Sequence, residues 1–202
     1  CINSAYDSKF DTEVIAPLVK VGDTYHLELF HGATIAFKDM ALSILPHLMI
    51  TSARKNQVKN DIVILTATSG DTGKAALAGF ADVPGTKIIV FYPKGGVSRV
   101  QELQMVTQKG ENTSVVAIHG NFDHAQSGVK ALFEDKELEK ELAAKGYQFS
   151  SANSINIGRL NNDEIDEVNH QLTEDDGKLI AAHQHTAHIA RSDFADIHRT
   201  DG

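Results

Sequence analysis

The chain reads as an open α/β fold, a mostly parallel sheet with helices on both faces, and three observations predict it. Apolar, β-branched runs at 62–66 and 87–92 read as buried parallel strands, and 114–118 reads as the next strand. Each run is followed by a turn of glycine or small polar residues, and each turn by a stretch of helical spacing. Strand–helix alternation of this kind implies right-handed crossovers. It places ligand sites at the carboxyl ends of strands, in the turns that open helices.

Taken in order, residues 1–20 read as a short helix or turn and an approach segment broken by Pro17. Residues 25–30 alternate as a strand that delivers the chain to Gly32. From 38 into the mid-fifties the apolar residues Met40, Leu42, Ile44, Leu45, Leu48 and Met49 fall at helical spacing. Pro46 is expected to kink that helix or remove one of its backbone bonds. Strand 62–66 turns through Ser69-Gly70-Asp71-Thr72-Gly73 into an alanine-rich helix over 74–80. Strand 87–92, a Pro-Lys-Gly-Gly turn and a helix over 98–108 follow, then strand 114–118. Helices are expected over 122–133 and 136–145, the second laced with Glu–Lys pairs, and a short strand over 147–149.

After Leu160 the character changes. Residues 1–160 hold 16 Lys/Arg against 17 Asp/Glu, a balance of −1, whereas 161–202 hold 3 against 10, a balance of −7. Five of the ten histidines also lie in this last stretch. A body over 1–160 and an acidic, His-rich segment over 161–202, with a junction near 160/161, is the organisation this predicts. His183, His185 and His188 have a spacing compatible with a metal, but the surrounding carboxylates explain the composition more simply and no metal is expected.

With 202 residues, 42% of them hydrophobic, the chain can bury a real core. The net charge of −8 argues against a nucleic-acid partner and an anionic membrane surface. The one cysteine, Cys1, allows no intramolecular disulfide and points to a cytoplasmic setting. No apolar run approaches the roughly 18 residues of a membrane span. The start at Cys1 rather than methionine reads as a fragment, a processed product or part of something longer.

Three motifs can carry chemistry. Lys38 sits among apolar and small residues in His31-Gly32-Ala33-Thr34-Ile35-Ala36-Phe37-Lys38-Asp39. An ammonium that loses hydration there has a lowered pKa, and the neutral amine can attack a carbonyl, as an aldehyde cofactor requires. Alternatively it is an ordinary residue at a helix start. Ser69-Gly70-Asp71-Thr72-Gly73 combines two glycines, helix-start amides and two hydroxyls, suiting a carboxylate or phosphate. Its spacing is neither Gly-x-Gly-x-x-Gly nor a Walker loop, and simple helix capping by Ser69 or Asp71 is the other reading. Ser150-Ser151-Ala152-Asn153-Ser154-Ile155-Asn156-Ile157-Gly158-Arg159 crowds hydroxyls, amides and one arginine together. Asn153, Ser154 and Arg159 suit a phosphate, the guanidinium offering a two-toothed fork, or else a helix cap beside a surface arginine.

In this order and at these separations the three motifs resemble threonine synthase, over roughly residues 1–160. The resemblance implies a pyridoxal-phosphate-dependent, tryptophan-synthase-β-like fold (fold type II). The activity it implies is conversion of O-phosphohomoserine and water to threonine and phosphate. It further implies that Lys38 bonds the cofactor and moves protons, and that Phe37 and Asp71 lie against the cofactor. Ser69 and Thr72 would face the substrate, and Asn153, Ser154 and Arg159 the substrate's phosphate end. The sequence departs from the family in lacking a recognisable Gly-Asn-Phe-Gly-Asn-like loop for the cofactor phosphate. The competing expectations are another fold-type-II lyase or dehydratase acting on serine or threonine, and a non-catalytic fragment of such an enzyme.

Overall fold

The computed structural model describes residues 1–152. The chain enters through a short helix, α1 (Ile2–Ala5), and an antiparallel hairpin of β1 (Leu18–Val21) and β2 (Thr24–Leu27), with Leu18 opposite Leu27. The sequence reading missed β1 and ran β2 on to residue 30. The ladder stops earlier because Pro17, next in line on the partner side, has no N–H to continue it. Its carbonyl still takes the Glu28 amide at 3.0 Å.

Helix α2 (Asp39–Lys55) follows, then strand β3 (Asp61–Ala67), α3 (Asp71–Phe80), β4 (Thr86–Pro93), α4 (Arg99–Val106), β5 (Thr113–Ile118), α5 (Phe122–Glu134), α6 (Lys136–Ala144) and β6 (Tyr147–Ser150). The four later strands form one sheet in the order β5-β4-β3-β6, and every neighbouring pair is parallel. The expected open α/β architecture is therefore present. Alternation along β3 divides the core. Ile62 and Ile64 join Leu42, Leu77, Phe80 and Met105 on the side of α2, α3 and α4, while Val63 and Leu65 join Val129 of α5 on the other. Phe80, Leu42, Ile64 and Leu77 are fully buried, each contributing about 1.5–3 kcal/mol by leaving water.

Two local features set where the site lies. Pro46 is buried inside α2 and leaves the Leu42 carbonyl without its usual helical donor. Gly79 of α3 sits directly on that carbonyl, where any Cβ would collide with it. The proline thus creates a groove in α2, and the glycine lets α3 enter it to backbone contact. Helix α3 also starts three residues earlier than the spacing predicts. Gly70 makes the bend at φ 137°, and the Thr68 hydroxyl accepts the amides of Gly70 and Gly73, both at 2.9 Å. Asp71 and Lys74 therefore stand one helical turn apart on a common face.

Candidate active site

The site is assembled from the loop before α2, the start of α3 and one face of α4. In the loop, the buried Asp39 carboxylate closes a tight ring: it accepts the Thr34 amide at 2.8 Å and the Thr34 hydroxyl at 2.6 Å. Gly32 packs against Asp39 so closely that a Cβ would meet its side chain at 2.5 Å. With Asp39 committed to Thr34, the preceding residue, Lys38, is held as the N-cap of α2.

Lys38 is half-buried, its Nζ 4.2 Å from the centre of the Phe37 ring. Burial holds its ammonium below the ordinary lysine range; Asp71 opposes that shift and Lys74 reinforces it. Across from it, Asp71 Oδ1 accepts Gln101 Nε2 at 2.9 Å and lies 3.2 Å from Lys74 Nζ. The Gln101 hydrogen bond is the largest influence holding the Asp71 carboxyl below the usual carboxylate range. Burial works against it, and Lys74 and Lys38 add to it. Gln101 is itself placed by a capping box, in which Ser98 Oγ accepts the Gln101 amide and Gln101 Oε1 accepts the Ser98 amide.

Lys38, with Phe37 beside it, and Asp71 are thus brought together from two segments that the sequence keeps apart. Ser69 is exposed and Thr72 half-buried at the opening of α3. The two amides between Gly70 and Gly73 belong to Asp71 and Thr72, and a helix start has no carbonyl in its own ladder for them. Asn153, Ser154 and Arg159 lie outside the described residues, as do the 160/161 junction and the C-terminal histidines. Strand β6 runs parallel to β3, and beyond it Thr66 Oγ1 donates to the Ala152 carbonyl at 3.4 Å.

Sequence reasoning missed Lys74, Gln101 and Gln104. Lys74 donates to the Thr34 carbonyl at 3.2 Å, and Gln104 Nε2 to the same carbonyl at 3.4 Å. The Gln104 Oε1 atom is buried with no partner among the described residues. Only the Ser98-x-x-Gln101 pattern carried a sequence signal, that of a capping box.

No protein-family model matches the chain. Individual relatives do match. The protein named threonine synthase-like 1 from Pongo abelii is 39% identical over 166 residues, covering 79% of this chain and 22% of that protein. The threonine synthase of Escherichia coli (strain K12) is 43% identical over 146 residues, covering 72% of this chain and 32% of that protein. A crystal structure of pyridoxal-phosphate-bound threonine synthase from Brucella melitensis superposes with a TM-score of 0.66 at 38% identity. It covers 74% of this chain and 31% of that one. The chain therefore spans between about a fifth and a third of the length of these relatives. Sequence and fold agree: over about three quarters of its length this chain is similar to threonine synthases.

Proposed function

We propose that the chain is the lysine-bearing part of a threonine synthase, a pyridoxal-phosphate-dependent lyase. The reaction is conversion of O-phospho-L-homoserine and water to L-threonine and phosphate, on a small-molecule substrate in the cytoplasm. The observation that carries the reading is the half-buried Lys38 amine, held toward its neutral form opposite Asp71. That set fits an aldehyde-bearing cofactor: a nucleophilic amine, an aromatic ring beside it and a carboxylate across from it. Bound there, pyridoxal phosphate supplies an electron sink for charge that develops on substrate carbon.

The residues of this chain do the rest. Lys38 would hold the cofactor's aldehyde and, when not bonded to it, would take and return protons at Nζ. Phe37 shields that amine from water, and Asp71 orients the bound group. Ser69 and Thr72 offer hydroxyls to the substrate's carboxylate. Asn153, Ser154 and Arg159 receive its phosphate, the arginine by paired charge-assisted hydrogen bonds. In this reading 1–160 form part of the catalytic region and 161–202 a separate acidic segment. Another lyase or dehydratase of the same fold class is disfavoured because the named relatives are threonine synthases and a threonine-synthase-like protein.

Borohydride reduction in the presence of pyridoxal phosphate, followed by peptide mapping, tests the reading. A pyridoxyl group on Lys38 is expected; one on Lys74 instead refutes it.

A further inference from the structure

Lys74 is a buried cation for which the proposed reaction has no use. It is 9% exposed, on the first turn of α3. Its Nζ lies 3.2 Å from Asp71 Oδ1 and 3.2 Å from the Thr34 carbonyl oxygen, to which it donates. A buried ammonium persists where such acceptors replace the water it has lost. These two acceptors come from the two segments that bracket Lys38, the loop leading into it and the helix facing it. The glycine-on-carbonyl contact between α2 and α3 fixes the distance between those segments.

We propose that Lys74 is a positioning residue for Lys38: by holding the Asp71 carboxylate and the Thr34 carbonyl, it keeps Asp71 from closing on the Lys38 amine. The inference rests on Lys38 being the reacting amine. Without Lys74, Asp71 keeps only the neutral Gln101 amide, and Lys38 becomes the cation to which its carboxylate turns. Losing Lys74 also removes a positive charge beside Lys38. Both consequences favour the protonated, unreactive form of Lys38. The other charged groups around it are committed elsewhere. Asp39 gives both oxygens to Thr34. On α4, Glu102 is taken by Arg99 at 2.8 Å and by the Tyr92 hydroxyl at 3.2 Å.

The test is the pH profile of Lys38 acetylation by acetic anhydride, read by peptide mass in the 202-residue chain. Lys74→Met is expected to slow acetylation of Lys38 at pH 7.5 roughly three- to tenfold while leaving the high-pH plateau in place. Lys74→Arg should restore the wild-type profile. Asp71→Asn must move it the other way, toward faster acetylation at pH 7.5, and it keeps the test decisive if Lys74→Met does not fold. An unmoved profile in Lys74→Met, a loss equal at every pH, or no acceleration in Asp71→Asn overturns the proposal. Pyridoxal phosphate trapped away from Lys38 in the wild-type chain overturns the reading of Lys38 itself. Trapping on Lys38 together with an unmoved profile overturns the role of Lys74 alone.

Discussion

Two three-membered charge clusters flank the loop that leads into α2, and they are built with opposite stoichiometry. At its outer end His31 lies between two carboxylates, Nδ1 2.6 Å from Asp11 and Nε2 2.8 Å from Glu28. At its inner end one carboxylate, Asp71, lies between two lysines, Lys38 and Lys74. The outer cluster has acid to spare, so its imidazole is held above the ordinary histidine range, chiefly by Glu28 and then by Asp11. The inner cluster has one carboxylate for two lysines, and Lys38, which burial and the neighbouring Lys74 both disfavour as an ammonium, is held below the ordinary lysine range although Asp71 opposes the shift. One loop thus carries an imidazole held toward its charged form at its rim and an amine held toward its neutral form at its centre. At the rim the two carboxylates set the direction of the shift, and at the centre burial does.

The largest expected effect comes from removing the centre. Lys38→Ala in a full-length enzyme should lower kcat by about a thousandfold or more, since holding the cofactor and moving protons are lost together. A steady-state assay with O-phosphohomoserine checks it. Arg159→Ala in the same enzyme should cost about 2–3 kcal/mol, roughly 30- to 150-fold in kcat/KM for phosphohomoserine. A phosphate-free amino acid should lose far less, and equal losses would make Arg159 structural.

A smaller effect separates the clusters mechanically. Gly79→Val drives a side chain into the Leu42 carbonyl and pushes α3 from α2, which should cost about 1–3 kcal/mol in urea unfolding. It should also shift Lys38 acetylation while leaving the His31 cluster intact.

The smallest effect belongs to the rim. The folded pKa of His31 is raised, so its stabilisation is complete below the unfolded value and disappears as pH rises through the folded one. The wild-type melting temperature should therefore fall more between pH 6 and pH 8.5 than that of His31→Ala. Parallel declines would show that the ring carries no linked proton.

The sheet and its helices were legible because β3 and β4 are covered on both faces, and such strands read as unbroken apolar runs. β1 was not, because three of its four residues, in Leu-Val-Lys-Val, are exposed and no buried face imposes alternation. Lys38 and Asp71 were legible as motif residues. The early start of α3 was hidden because Thr68, a residue of the preceding loop, closes its first turn. Lys74 was hidden for a related reason. Its acceptor on Thr34 lies 40 residues away, and local pattern does not encode a contact made by the approach of two helices. Gln104 reaches the same carbonyl from 70 residues away.

The central claim, that burial and the neighbouring Lys74 hold the Lys38 amine toward its neutral form, is tested most directly by NMR titration of the chain after reductive 13C-methylation of its lysines. The Lys38 resonance, assigned by its loss in Lys38→Arg, should titrate below the ordinary lysine range and should rise toward that range in Lys74→Met. A Lys38 resonance that titrates within the ordinary lysine range in the wild-type chain would contradict the account.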